Sequence, residues 1–399
     1  MITKLLFVTN FSASAEIEKL REMTGQNPGY AIQKFSQLLS AGFTKNGVNV
    51  ETLSIRAVSS RICKKKFWGA NMCEENGIKF HHVPFLNLPF IRQFGIFVYS
   101  FFKILAWCMT ERKEKVVLCD ALTRSACIAA LYACRLTGVK CVGIVTDMPG
   151  MVTKKLGNKF IQSMVERINK GFIQDFDACV FMTKYVNEVL NKKNKPFIIM
   201  EGSVDESMKE IDLNSIHKAS TRNIVYAGCI HERHGLKLLV EAFSKLPQDD
   251  IRLVLFGDGA FCKELPRYIQ KDPRIIYKGI APNKEVVEAE QSATFLINPR
   301  PTHEDFVYYS FPSKNHEYMV TGTPVLTTKL PCFPEEYDPY LYYMEDVSVD
   351  GFYKSMERAL SLPKSEIEKK GRECRNFVLE KKNNRFQAQR ILNLINRIQ

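Results

Sequence analysis

The chain has 399 residues, of which 45% are hydrophobic and 25% charged, and its net charge is +13. That composition excludes a disordered chain and suffices for two cores of ordinary domain size. The charge is uneven. Residues 1–200 carry 28 Lys and Arg against 14 Asp and Glu, whereas residues 201–399 carry 28 against 29. An anionic ligand or membrane surface is therefore expected at the first half. No RNA- or DNA-binding motif accompanies the charge, so nucleic acid is not an expected partner.

In chain order, MITKLLFVTNF opens with a strand over Leu5–Asn10 and lacks the apolar core and cleavage site of a signal peptide. The 12 cysteines include no CxxC pair, and Cys119, Cys127, Cys134, Cys141 and Cys179 fall in apolar runs. A cytoplasmic chain with reduced thiols is expected. The loop Met23–Tyr30 holds Gly25 and Gly29, which permit close approach to a ligand. Strands follow at Val48–Ile55 and Ile78–Phe85, with His81 and His82 pointing to opposite faces. Phe85–Met109 is strongly apolar, but Pro89 and Arg92 interrupt it. The remainder, Phe94–Met109, contains Lys103 and falls short of the ~20 residues of a membrane span. It reads as a helix, either buried in a core or lying at a membrane interface with Lys64, Lys65 and Lys66 nearby. Further strands are expected at Lys115–Leu122, Lys140–Pro149 and Asp177–Lys184, and TRSACIAALYACRLTG between them reads as a helix closed by Gly138. Asp147 ends a buried strand, where it can take a proton from an acceptor hydroxyl; Asp120 ends the strand before it.

The second half repeats the rhythm in NIVYAGCI, IRLVLFGDG, RIIYKGIA, TFLINPR and PVLTT, each followed by a helical stretch such as GLKLLVEAFSKL. Doubly buried strands alternating with helices predict two doubly wound parallel-sheet domains, at 1–200 and 201–383. Ligands of such sheets bind at the carboxyl ends of strands. There, Arg300 ends the TFLINPR strand and a helix starts near Pro312. Ser313 and Lys314 in its first turn suit a diphosphate. Glu317, one turn further, suits the diol of a ribose. No paired acidic residues end a strand in a loop that would hold a divalent ion, so leaving-group charge is expected to be met by the helix start and basic side chains, without a metal or other cofactor.

FPSKNHEYMVTGTPVL resembles the nucleotide-sugar motif of family 4 glycosyltransferases of bacterial capsule and exopolysaccharide type. VYAGCIHERHGLKLLVEAF, LVLFGDGAF and IIYKGIAPNKEV are similar to that family's diphosphate loop, Gly-Asp-Gly turn and base-holding loop. The resemblance implies the GT-B fold, two Rossmann-like domains facing a cleft, with the helix at 384–399 packing back on the first domain. It implies donor binding through Gly228, Arg233, Gly257, Ile280, Arg300, Ser313, Lys314 and Glu317, with Asp147 as the catalytic candidate. It further implies metal-independent, retaining transfer from a nucleotide sugar, UDP as nucleotide. The acceptor would be a polyprenyl-diphosphate-linked glycan, at the inner face of the plasma membrane. Three positions depart from the family. Tyr309 stands eight before Glu317 where the family has Glu, Cys229 follows Gly228 in place of Arg, and His234 precedes Gly235 in place of Lys. Arg233, Arg300 and Lys314 are the nearby cations that can replace that Arg/Lys pair. A nucleotide-sugar epimerase of the same architecture and an inactive donor-binding regulator fit the same features.

Overall fold

The computed structural model describes residues 2–25, 30–89, 91–110, 114–148, 170–216 and 221–399. The chain divides into two compact units, 1–203 with 384–399, and 204–383.

The first unit contains β1 (Lys4–Thr9), α1 (Ser14–Thr24), α2 (Tyr30–Lys45), β2 (Asn49–Ser54), β3 (Phe67–Trp68), β4 (Asn71–Glu75), β5 (Ile78–His82) and β6 (Phe85–Leu86). It continues with α3 (Ile91–Met109), β7 (Lys115–Asp120), α4 (Arg124–Thr137), β8 (Lys140–Val145), β9 (Ala178–Phe181), α5 (Lys184–Leu190) and β10 (Phe197–Ile199). Eight strands form one sheet in the order β10-β9-β8-β7-β1-β2-β5-β4. All pairings are parallel except β4 on β5 at the edge. The chain winds outward from β1 in one direction through β2 and β5, and from β7 in the other through β8 and β9. The crevice between β1 and β7 is therefore the topological switch point. The two-residue strands β3 and β6 pair separately.

The second unit contains β11 (Arg222–Ala227), α6 (Leu236–Phe243), β12 (Ile251–Phe256), α7 (Leu265–Lys271), β13 (Ile275–Gly279), α8 (Asn283–Ser292), β14 (Phe295–Asn298), α9 (Ser313–Met319), β15 (Val325–Thr327), β16 (Tyr342–Tyr343), α10 (Val349–Leu360) and α11 (Lys364–Lys381). Its sheet runs β13-β12-β11-β14-β15-β16, all parallel, with the switch point between β11 and β14. Strand residues alternate between two buried faces. Ile224, Tyr226, Leu253 and Leu255 enter one core, and Val225, Ala227, Val254 and Phe256 the other, as a sheet covered on both sides requires.

The terminal helix α12 (Asn384–Ile398) belongs to the first unit. It buries Ala388, Ile391, Leu394 and Ile395 in the same core as Leu5, Phe7, Val116 and Val142. Phe386, which the apolar pattern would place on this stripe, is instead 39% exposed, and Gln387 is buried in its place. Gln387 Nε2 donates to the Gly202 carbonyl at 3.0 Å. The amide is tolerated there because its donor is satisfied.

α3 departs from the sequence reading in its bounds and in the core alternative. It starts three residues earlier than Phe94 and takes Arg92 into its first turn, giving 19 residues. By length and composition alone it meets the requirement for crossing a bilayer. It is not a core helix: Ile96, Ser100, Ile104 and Cys108 form one buried stripe, while Phe94 and Phe102 are 70% and 63% exposed. The stripe packs against α4, where Phe97 meets Tyr132 edge-on at 6.4 Å. All twelve cysteines are unpaired.

Candidate active site

In the second unit the loops after β11 and β14 meet at the switch point. Gly235 makes this possible: its φ is +84°, and a Cβ there would lie 1.9 Å from the Pro299 carbonyl oxygen. Any side chain would drive the two loops apart. Between them is a cavity of about 180 Å3, lined by Tyr226, Asn298, Arg300, Ser313 and Lys314, with Cys229, His234 and Ser310 completing its polar wall.

Each wall residue has a local reason for its place. Lys314 leans back over β11. Its Nζ donates to the Ala227 carbonyl and sits 5.8 Å from the Tyr226 ring. The absence of a side chain at Gly228 leaves that room, since a Cβ there would come within 2.1 Å of Lys314 Cε. The loop before α9 is anchored by Phe311, stacked on the buried His316 at 4.8 Å and packed on Phe333 at 5.2 Å. Pro312 caps α9 without a side-chain hydrogen bond, so Ser313 and Lys314 are displayed in its first turn. α9 has only seven residues, a short dipole, so most of the positive potential here comes from side chains. Arg300 Nη1 donates to the Ser310 carbonyl at 3.4 Å. The Arg300 guanidinium lies 4.5 Å from the Phe306 ring centre, and that of Arg233 lies 4.8 Å from it. Burial pulls the Arg300 pKa below its ordinary value, but an arginine stays charged through such a shift. Burial also lowers His234, ahead of an opposing hydrogen bond to the Cys229 carbonyl, so it is neutral at pH 7 and supplies a ring nitrogen rather than a charge.

The structure thus brings Arg300, Ser313 and Lys314 to one wall, with Gly228 directly behind Lys314. Arg233 is outside the cavity lining, 3.9 Å from Glu304 with its side chain about half exposed. Gly257 follows β12 and donates its N–H to the Gly279 carbonyl at 2.7 Å. Glu317 is half-buried on α9 and Ile280 is 81% exposed; neither lines the cavity. Tyr226, Asn298 and Ser310 also form the wall. Their sequence signal is only positional, at or near a strand end or just ahead of a helix start. Asn298 is held by its donation to Asn315 Oδ1 at 2.6 Å.

In the first unit a second cavity, of about 530 Å3, opens at the other switch point. Asn10, Arg92, Thr123, Arg124, Ser125 and Asp147 lie on its wall. Asp147 follows β8, and burial raises its pKa. Asp120 ends the adjacent β7, fully buried and outside the cavity wall; burial, opposed by the Leu122 N–H and reinforced by Asp147, pushes its carboxyl up to about 7. The loop reading around Gly25 keeps only that residue, in a left-handed cap on α1; Gly29, and Pro149 and Gly150 after Asp147, lie outside the described residues. His81 and His82 are both buried in β5. Among the described residues no three His, Cys, Asp or Glu side chains are placed to hold a metal ion.

Residues 221–361 match the family model described as Glycosyl transferases group 1. The chain carries a glycosyltransferase domain. No curated protein sequence matches the chain. Its fold is that of solved GT-B glycosyltransferases. Sucrose-phosphate synthase from Thermosynechococcus elongatus superposes with a TM-score of 0.63 at 12% identity, covering 100% of both chains. The lipopolysaccharide outer core galactosyltransferase WaaB gives 0.62 at 14%, over 98% of this chain and 99% of that one. Anabaena HepE, solved with UDP and glucose, gives 0.63 at 12%, over 99% and 100%. The glycosyltransferase match contains β11, β14 and α9, and so the whole cationic cavity.

Proposed function

We propose that this protein is a retaining, metal-independent glycosyltransferase of family 4. It moves a sugar from a nucleoside-diphosphate sugar, UDP as nucleotide, to a hydroxyl of a polyprenyl-diphosphate-linked glycan. It works peripherally at the inner face of the plasma membrane, in synthesis of capsule or exopolysaccharide. The observation that carries the donor reading is the grouping of Lys314, Arg300 and Ser313 on one cavity wall at a switch point, inside the span that matches a glycosyltransferase model. Two fixed cations and a hydroxyl can neutralise a diphosphate both when bound and as it leaves. Glu317, on the same helix as Ser313, accepts from the ribose hydroxyls, and main-chain atoms near Ile280 hold the base.

In the transfer, the bond between the anomeric carbon and the diphosphate oxygen breaks. The acceptor oxygen forms its bond to the same face of that carbon, and the hydroxyl proton passes to the departing phosphate oxygen. Asp147 orients the hydroxyl and eases that proton away. The basic first half and the apolar, exposed α3 favour a lipid-linked acceptor. Purified protein titrated with UDP, GDP and dTDP, then supplied with the matching sugar nucleotides, tests the reading. Nucleoside diphosphate should be released faster when lipid-linked acceptor is present. Interconversion of donor sugars without acceptor would instead identify an epimerase, and binding without turnover a regulator.

A further inference from the structure

We propose that α3 seats an amphiphilic acceptor, its lipid chain in an apolar groove along the helix and its phosphate-bearing head in the cationic cavity at the helix start. The inference rests on the transferase reading above and adds how the acceptor is recognised.

The groove has a volume of about 620 Å3 and is walled by Phe67, Phe85, Leu86, Phe94, Val98 and Phe102. Phe67, Phe94 and Phe102 are each more than 60% exposed, a contiguous apolar patch of the kind that marks a binding surface. Lys103 lies on its rim, and no acidic residue lines it among the described residues. Asn87 Nδ2 donates to the Cys63 and Lys65 carbonyls at 3.1 and 3.2 Å, which ties the exposed Lys64–Lys66 segment to the groove's floor strand. The edge of the patch is thus cationic, as an anionic amphiphile requires.

Groove and cavity both border α3. Arg92, Gln93 and Ile96 of α3 line the cavity, and Phe94, Gly95, Val98 and Phe102 line the groove. The Arg92 guanidinium sits 4.9 Å over the ring of Phe85, a groove residue. Its Nη2 donates to the Arg56 carbonyl at 3.2 Å, while its buried Nε has no hydrogen-bond partner among the described residues. Arg124, beginning α4, faces the same cavity, and Ser125 Oγ donates to Gln93 Oε1 at 2.7 Å across its rim. The sequence of features is apolar groove, arginine, polar cavity, Asp147. A lipid-linked glycan presents chain, phosphate, sugar and hydroxyl in that same order. A plain bilayer contact would account for the groove but not for a half-buried arginine with its Nε enclosed at the groove's end.

Calorimetric titration of the full chain with inorganic phosphate, geranyl phosphate, farnesyl phosphate and farnesol tests this. Each buried methylene strengthens binding by about fourfold, so farnesyl phosphate should bind at least about tenfold more tightly than geranyl phosphate. Inorganic phosphate and farnesol should bind more weakly than either. Phe102→Asp should bring farnesyl phosphate down to the level of inorganic phosphate. Arg124→Ala should weaken the phosphates and leave farnesol unchanged. Leu136→Asp, at a 70% exposed position on α4 outside the groove, should change nothing. Affinity independent of chain length overturns the proposal. So does an equal loss in Leu136→Asp, which would mean adsorption, or a Phe102→Asp chain that binds farnesyl phosphate as tightly as the parent, which would mean that the groove does not hold the lipid chain. UDP titrated into the same samples separates the two readings. UDP binding without any gain from the lipid chain sinks this inference alone. Absence of UDP binding sinks the donor assignment, and the lipid-phosphate series still decides this one.

Discussion

At the scale of single residues, the donor cavity depends on a missing side chain as much as on those present. Gly228→Ala places a methyl group where the Lys314 side chain runs, 2.1 Å from its Cε. The ammonium must shift off the cavity wall, and UDP affinity should fall by about tenfold or more, in line with loss of one charge-assisted contact of ~1.5–3 kcal/mol. Unchanged affinity in a titration would remove Lys314 from diphosphate binding. Glu317→Ala should weaken uridine and UDP alike, because the ribose rather than the phosphates is affected; a loss seen with UDP only would argue against the ribose role. Asp147→Asn should slow turnover more than donor binding. Burial raises the Asp147 pKa, so the group is ionised only above that raised value, and turnover should climb with pH on a limb lying above the ordinary 3.8. The limb should vanish in Asp147→Asn, and its persistence in a pH–rate profile would assign it to another group.

At the scale of elements, α3 shows how one helix serves two environments. Its residues at intervals of four, Ile96, Ser100, Ile104 and Cys108, are buried, and the rest of its apolar surface is not. Ile104→Ala should cost about 2–4 kcal/mol of stability. Phe102→Ala, at a position 63% exposed, should cost less than about 0.5 kcal/mol. Equal costs in urea denaturation would contradict the single buried stripe. The sequence around α3 is apolar on most sides, so periodicity could not say which side faces the protein. Contact with α4 made that choice. The seven-residue α9 shows the reverse: FPSK predicted a helix start that the structure places one residue later, at Ser313, because proline fixes its own φ and suits the entry of a helix wherever that helix packs.

At the scale of the whole molecule, each unit buries a histidine that the folded state keeps neutral. Burial, helped by Arg56, lowers His82 from 6.5 to about 4. Burial, helped by Lys382, lowers His316 to about 3. The unfolded chain binds these protons near pH 6.5 and the folded chain only at the lower values, so stability is lost as pH falls between them. From pH 7 to pH 5 each unit should lose about 2 kcal/mol from this cause. Denaturation midpoints equal at the two pH values, or ring resonances of either histidine titrating between pH 5 and 8, would disprove it. α12 supplies five buried apolar residues, Ala388, Ile391, Leu392, Leu394 and Ile395, to the first unit's core. Burying an Ile or Leu is worth about 1.5–3 kcal/mol, so removing residues 384–399 should approach a domain's whole stability of ~5–15 kcal/mol. Hydrogen exchange should show β7 and β8 unprotected in the truncated chain, with β11 and β12 still protected; loss of protection in both sheets would mean that the units fold together.

The alternation of apolar strands with helical stretches determined a doubly wound α/β chain by itself, since burial of strands on both faces leaves a local imprint, a short continuous apolar run. Short polar signals at strand ends likewise gave Arg300, Ser313 and Lys314. Only the tertiary structure decided that these three share a wall with Tyr226, Asn298 and Ser310, because the switch point joins β11 to β14, strands separated by two intervening strands in the sequence. It also decided that α3 exposes its aromatic face and that Phe386 turns outward from α12 while Gln387 turns in. Those outcomes depend on which partners cover a surface, and that is a property of the packed chain that no local pattern encodes.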